Sequence, residues 1–452
     1  MKKSVIKFII RAVAFVAVFA LVFIACSHML SVGMDRHSAH VLKGFYNEKP
    51  ETLDAVYFGS SNVLAFWNPM LAWEWHGITV HPYSCNSQPL TLAEDLIKEA
   101  RKTQPDAVFI VNINTLGLEM DTVGFHRLFD NMPFSIHKIQ TIEKMSAMYN
   151  LSDKDKLELY FPLLRYHSRW SELSSADFAS SGVEYKGAFN YGRYWTVSED
   201  LTNRYIITDK ITTPPDHVKT AVESLLDYCE SENLKMLFVT VPRGEETVAE
   251  AEMHNYINEQ AIQRGFPVLD LNDEIDTLQL DLQRDYYNRT HTNVHGSVKF
   301  TQYMSEYLIK TFGFKNKKDD SAYSDRNKVY RSYLPLISRY LLDFEFEGAA
   351  RDNKLQAVGK FKALLMSGAA EISFEEVDGA TGYAIFKQVG LQNAWTRIGE
   401  TDTNTFSDPD CQTPGKYQYR VVPFYEKDGK RVYDNFDYTG AGFTVKDPSP
   451  ET

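Results

Sequence analysis

The chain has 452 residues and a formal net charge of −12, with 48 basic side chains against 60 acidic ones. That balance excludes a nucleic-acid backbone as partner, because no basic stripe is left to neutralise phosphates. The length exceeds one ordinary domain, and 26 Tyr with 28 Phe supply ample material for a large core.

Lys2, Lys3 and Lys7 precede an apolar run from Phe8 to about Leu30 that only Arg11 interrupts. A run near 20 residues suits a single membrane span. Lysines before it place the N-terminus in the cytoplasm and the rest outside. Residues 1–30 are therefore expected to form a single-pass anchor in the cell membrane, with the main body extracellular. A cleaved signal peptide and a lipoprotein box ending at Cys26 are the alternatives. Residues 31–53 are expected to be a polar spacer.

From Asp54 the pattern becomes strand, helix, strand, helix, strand. Apolar runs at Asp54–Gly59, Ile78–Tyr83 and Asp106–Asn112 predict buried strands, with helical spacing over Ala65–His76 and Pro89–Lys102. This order predicts an α/β fold with a parallel sheet flanked by helices. A segment at about 117–215, rich in Tyr, Trp, Ser and charge, predicts a partly helical insertion that caps the site. The alternation resumes with a helix from Pro215 to Glu232, a strand at Leu234–Val241, a helix at Met253–Arg264, a strand at Phe266–Leu271 and a closing helix at Ser297–Phe312. The α/β domain is thus expected over 54–315.

A polar, charged stretch at Asn316–Arg326 marks a linker, and Tyr330–Leu342 is helical by spacing, giving a linker and helix over 316–361. Residues 362–448 then switch to period-2 alternation, which predicts a small all-β module of about 90 residues. The four cysteines, Cys26, Cys85, Cys229 and Cys411, have neither metal-type spacing nor a paired framework.

Two motifs carry chemistry. Ser61 lies in Phe58-Gly59-Ser60-Ser61-Asn62, at the end of a strand. His291 lies in Asn288-Arg289-Thr290-His291-Thr292-Asn293-Val294-His295-Gly296. A serine at a strand-to-helix turn, with a histidine late in the same domain, is the material of nucleophilic acyl transfer. The position three before the histidine, where an orienting aspartate would be expected, is Asn288; Asp285 is a possible substitute. Arg169 and Trp170 are candidate substrate contacts, a clamp and a stacking face, although an ion pair and core packing explain them equally. His295 follows His291 by four residues, but no adjacent acid accompanies it, so no metal site is expected, and no cofactor motif stands out.

Gly59-Ser60-Ser61 resembles the nucleophile turn of the SGNH (GDSL-like) hydrolases. His291, Asn293 and Gly296 resemble that family's last block at its offsets. The resemblance covers about residues 54–312 and implies a three-layer α/β sheet with Ser61 as nucleophile and His291 as base. It implies an oxyanion hole from the Ser61 amide, from Ser87 or Asn86 where the family has a glycine, and from Asn112 or Asn114. Anchored, extracellular members such as the teichoic-acid D-alanylation protein and the alginate O-acetylation proteins share the arrangement. The resemblance therefore implies an esterase or O-acyltransferase acting on a cell-surface polysaccharide or acylated glycan, beside a multi-spanning membrane acyltransferase. Asn288 departs from the family pattern, which leaves open a non-catalytic surface protein that binds glycan or that partner. Val377 to Phe386, Trp395, Phe406-Ser407-Asp408 and Tyr417 to Val421 resemble a fibronectin type III domain, in which Trp395 is expected to pack on the sandwich or else to stack on a sugar.

Overall fold

Short apolar runs bounded by turns build a parallel sheet buried on both faces. The computed structural model describes residues 2–31, 36–173, 185–190, 206–282, 285–345, 355–390, 395–433 and 441–445. The N-terminal part contains α1 (Lys2–Ser31), α2 (Arg36–Tyr46), β1 (Ala55–Gly59), α3 (Ser61–Phe66), α4 (Pro69–His76), β2 (Val80–Ser84), α5 (Ala93–Ala100) and β3 (Val108–Asn112). Four helices follow: α6 (Thr122–Phe129), α7 (Ile136–Met148), α8 (Asp153–Tyr160) and α9 (Pro162–Tyr166). After them come α10 (Asp216–Ser231), β4 (Met236–Thr240), α11 (Val248–Gln263), β5 (Val268–Asp270), α12 (Ile275–Leu278), α13 (Val294–Phe312) and α14 (Ser324–Glu345). The sheet has five strands in the order β2-β1-β3-β4-β5, all parallel. Every residue of β1 to β4 is buried, which is why these strands read as continuous apolar runs.

Each face of the sheet carries a helical layer. On one, Val56, Phe58, Phe109 and Val111 pack with Leu96 of α5, Leu225 of α10, and Phe125, Ile142 and Leu159 of α6 to α8. On the other, Tyr57, Ile110 and Val239 pack with Phe66 of α3 and with Phe300, Met304 and Leu308 of α13. The helices α6 to α8 thus belong to a core layer, on the face opposite α3 and α13, and not to a lid. Residues 174–184 and 191–205 of the expected insertion lie outside the described residues.

Four other expectations are corrected. The spacer contains α2, whose Val41, Leu42 and Phe45 are buried against β2; the Phe45 ring meets Tyr83 edge-on at 4.8 Å. The single helix expected over 65–76 is two, because Pro69 cannot continue α3 and Asn68 caps α4 through the amides of Met70 and Leu71. The linker is a strap: Lys317 pairs with Asp54 at 2.7 Å and Lys318 with Glu74 at 3.0 Å. Beyond the strap, Arg326 reaches the buried Glu48 at 2.7 Å, where His81 and Lys186 also converge at 3.4 Å each. The helix α11 starts earlier than expected because Thr247 and Glu250 form a capping box.

The C-terminal region contains β6 (Lys362–Met366), β7 (Ala369–Ser373), β8 (Gly382–Val389), β9 (Thr396–Thr401), β10 (Thr405–Asp408), β11 (Gly415–Lys427), β12 (Lys430–Tyr433) and β13 (Ala441–Val445). Their pairings are all antiparallel, in two sheets ordered β10-β7-β6 and β12-β11-β8-β9, with β13 added on β11. Trp395 is fully buried, in a cluster with Phe386 and Val422 that also takes in Tyr333 of α14 and Trp73 of α4. It is a packing residue, and α14 finds its partners in α4 and this module. All four cysteines are free thiols. In α1 the stretch Val5–Ser27 is long and apolar enough to cross a membrane, as an anchor or as an export signal.

Candidate active site

The order β2-β1-β3 makes β1 the point from which the chain departs in both directions, so a crevice opens at the carboxyl ends of β1 and β3. Gly59 ends β1 with φ +158°; a Cβ there would lie 2.6 Å from Val63 Cγ2 and 2.8 Å from Asn112 Cβ. Only glycine lets the turn sit this close to β3. The Ser84 hydroxyl at the end of β2 reaches the carbonyls of Gly59 (2.7 Å) and Ser60 (2.6 Å) and ties the turn to the neighbouring strand. Ser61 then opens α3. The N–H groups of a helix's first turn have no intrahelical acceptor, which frees those of Ser61 and Asn62 for an anion.

His291 arrives on a tight loop before α13. Tyr286 bridges Thr292, and the Tyr287 amide donates to the His291 carbonyl at 2.8 Å. The Thr292 hydroxyl donates to the Ala65 carbonyl at 2.7 Å, fastening the loop to the helix that carries Ser61. Asn293 caps α13 by accepting from the amides of His295 (2.9 Å) and Gly296 (3.2 Å). Gly296 is required by contact, since a Cβ there would stand 2.3 Å from the Asp285 carbonyl. The asparagine two residues and the glycine five residues after the histidine thus have physical jobs: one starts the helix and the other lets the loop close on it.

The two remote side chains meet. His291 Nε2 lies 2.7 Å from Ser61 Oγ. On the far side of the ring, Nδ1 lies 2.8 Å from Asn288 Oδ1 and 2.8 Å from Thr290 Oγ1. Asn288 Oδ1 also accepts from the backbone amides of Thr290 and His291, at 3.0 Å each. Two backbone donors on one atom identify it as the amide oxygen. The ring must then carry its proton on Nδ1, leaving the Nε2 lone pair for the serine hydroxyl. An amide at position 288 thus selects the productive tautomer, because its own backbone fixes which of its atoms faces the ring. The charge is still missing. Burial, and after it the cation of Arg243, pushes His291 down to about 4.

Other candidates fall differently. Asp285 is not a substitute acid: its Oδ2 accepts from Lys299 Nζ (2.6 Å) and the Asp281 amide (2.9 Å). Asn114 is also occupied, exchanging two hydrogen bonds with Val241 and so pinning β3 to β4. Asn112 is fully buried beside Gly59, its amide facing the Tyr57 hydroxyl without a hydrogen bond of ordinary geometry. Ser87 has φ +61°, a left-handed conformation that glycine favours, in the loop leaving β2. Arg169 and Trp170 stand elsewhere: the Arg169 guanidinium donates to the Leu30 carbonyl at the end of α1, and Trp170 is exposed. Arg243 was not among the residues singled out in the sequence. It follows β4, is buried, and lies 3.6 Å from Glu246, which in turn is 2.8 Å from His254. Its position just past the carboxyl end of a parallel strand was the available signal.

No family model matches the chain, and no curated protein matches it. Among solved structures the chain is similar to an Fn3-like protein from Clostridium thermocellum, at 19% identity and a TM-score of 0.16, over 22% of this chain and 97% of that one. It is also similar to pectate lyase Pel3 from Pectobacterium carotovorum, at 16% identity and a TM-score of 0.16, over 21% of this chain and 29% of that one. Domains A168–A170 of titin match at 16% identity and a TM-score of 0.17, over 20% of this chain and 32% of theirs. These likenesses each span about a fifth of the chain, and the antiparallel topology of β6 to β13 stands on its own pairings.

Proposed function

We propose that this chain is a membrane-anchored, extracellular serine esterase or O-acyltransferase of the SGNH type, acting on acyl groups of a cell-surface glycan, with a fibronectin type III-like module at its C-terminus. One observation carries the reading: a serine hydroxyl 2.7 Å from a histidine whose tautomer is locked for accepting its proton. Ser61 Oγ attacks the ester carbonyl while Nε2 takes the hydroxyl proton. The oxygen that becomes negative is met by the amides of Ser61 and Asn62 and by the Asn112 side chain. Collapse breaks the ester C–O bond, and His291 returns the proton to the departing alcohol. Water or a glycan hydroxyl then attacks the acyl-serine by the same route in reverse. A multi-spanning acyltransferase beside the anchor is the natural donor or acceptor system.

A glycan-binding protein without turnover is the second reading, favoured by the uncharged oxygen that meets Nδ1. Aryl-acetate hydrolysis by the full chain in detergent decides between them. Ser61→Ala and His291→Ala are each expected to lower turnover by at least about 10³-fold. A rate unchanged by either substitution leaves only the binding reading. Asn112→Ala is expected to lower kcat by about 10²-fold or more with little change in KM, as loss of one oxyanion donor does. An unchanged kcat would remove Asn112 from the site.

A further inference from the structure

Of the residues expected to grip substrate, Arg169 meets α1 and Trp170 beside it is exposed, and their surroundings point to another partner. The Phe161 ring packs edge-on against Phe23 of α1, with centroids 6.0 Å apart and planes at 83°. Phe23 is inside the apolar stretch that ends at Ser27. At 1.5 Å per residue it is about 6 Å below that end. Arg169 donates to the carbonyl of Leu30, about 4–5 Å beyond it. The segment from Phe161 to Trp170 therefore runs alongside the last part of the span and its exit.

This segment and the end of α8 before it bare four large apolar side chains, with His167 and Ser168 the exposed polar ones between Leu164 and Trp170. Leu157, Phe161, Leu164 and Trp170 are 48%, 44%, 48% and 73% exposed. The Phe161 amide donates to Leu157 and the Leu164 amide to Phe161, at 2.9 Å each, so the three side chains follow one another at single-turn intervals. Bare apolar side chains grouped in this way are costly in water and mark an interaction surface. Phe161 is level with residues inside the span, where whatever protein does not cover meets hydrocarbon. Trp170 adjoins the residue that holds the exit of the span, the depth at which indole rings collect.

We propose that Leu157, Phe161, Leu164 and Trp170 form a collar that enters the leaflet on the side of the folded body, so that the C-terminal end of α8 and α9 touch lipid beside α1 while the turn His167–Ser171 lies at the headgroups and the charged start of α8 stays in water. The partner is phospholipid: acyl chains for Leu157, Phe161 and Leu164, and the headgroup boundary for Trp170. The collar rests on the anchor part of the proposed function and is independent of the ester chemistry. It fixes the tilt of the α/β body by a second contact, where an anchor alone would leave it free to swing.

The test places the photoreactive residue p-benzoylphenylalanine at position 164 or 170 of the full chain, in vesicles of phosphatidylethanolamine and phosphatidylglycerol with radiolabelled acyl chains. Position 262 is the control, because Ile262 is exposed on α11, which packs on β4 and β5, at the sheet edge away from β2 and α2. Labelled lipid is expected on 164 and 170 at about tenfold or more over 262. Carbonate extraction of the same vesicles reports on the anchor. A chain that stays in the vesicles yet shows equal labelling at all three positions, or links to a second copy in place of lipid, overturns the collar while the anchor stands. A chain recovered without α1 overturns both.

Discussion

The Asn288→Asp variant should hydrolyse aryl acetates faster than the wild-type chain, by up to about 10⁴-fold, the factor the reverse exchange costs in serine proteases. The geometry for the carboxylate already exists. Oδ1 of residue 288 accepts from two backbone amides and from the ring, so an aspartate inherits every contact and adds the charge. What the wild type lacks is stabilisation of the imidazolium. With His291 near 4, the ring is neutral at ordinary pH, which is correct for a base, but a base this weak takes the serine proton poorly. The sign of the pH effect follows. Activity needs neutral Nε2, so the wild-type acid limb should fall near pH 4. A carboxylate at 288 favours the charged ring, raises its pKa and moves that limb upward. Profiles of kcat/KM against pH for the two chains check both statements. Identical limbs and equal rates would mean that residue 288 does not tune the histidine.

The Arg326→Met variant should lose about 3–5 kcal/mol of stability, the typical cost of stranding one member of a buried ion pair. Glu48 is buried between α2 and the sheet, and burial alone would raise its pKa. Arg326, and with it His81 and Lys186, outweighs burial and holds the carboxyl at about 2. Because the folded value lies below the unfolded one, this stabilisation is complete above about pH 4.5 and is lost as the pH falls toward 2. A melting curve of the full chain should therefore shift down for Arg326→Met at pH 7, and the gap should narrow in acid. Glu48→Gln added to Arg326→Met should recover part of the loss, since no charge is then stranded. If the single variant melts with the wild type, the cluster is incidental to the fold.

How much could be read from residues alone depended on whether the cause was local. The strands were legible because each is buried on both faces and must be apolar throughout, as in Val56 to Phe58 or Leu237 to Val239. Ser61 and His291 were legible because turn chemistry and helix capping leave local marks: Gly59, Asn293 and Gly296 are each demanded by a contact within their own segment or its neighbour. What failed was choice of side. Nothing near Arg169 says whether it faces the crevice or α1, and nothing near Asp285 announces that Lys299, a turn into α13, will claim its carboxylate. The α2 segment carries its apolar residues at Val41, Leu42 and Phe45 among polar ones. Only the presence of β2 beneath it makes that pattern a packed helix. Arg243 was overlooked for the same reason: its effect on His291 is electrostatic and crosses from another strand.

Nucleophile and base stand 230 positions apart. If the body crosses a bilayer in chain order, as the proposed function has it, Ser61 emerges long before His291. Until the closing segment docks through Thr292 onto Ala65, the serine has no base and the emerging polypeptide has no hydrolytic power. Under the proposed function such a chain would be inert until its closing segment docks and would be armed by the last step of its own folding.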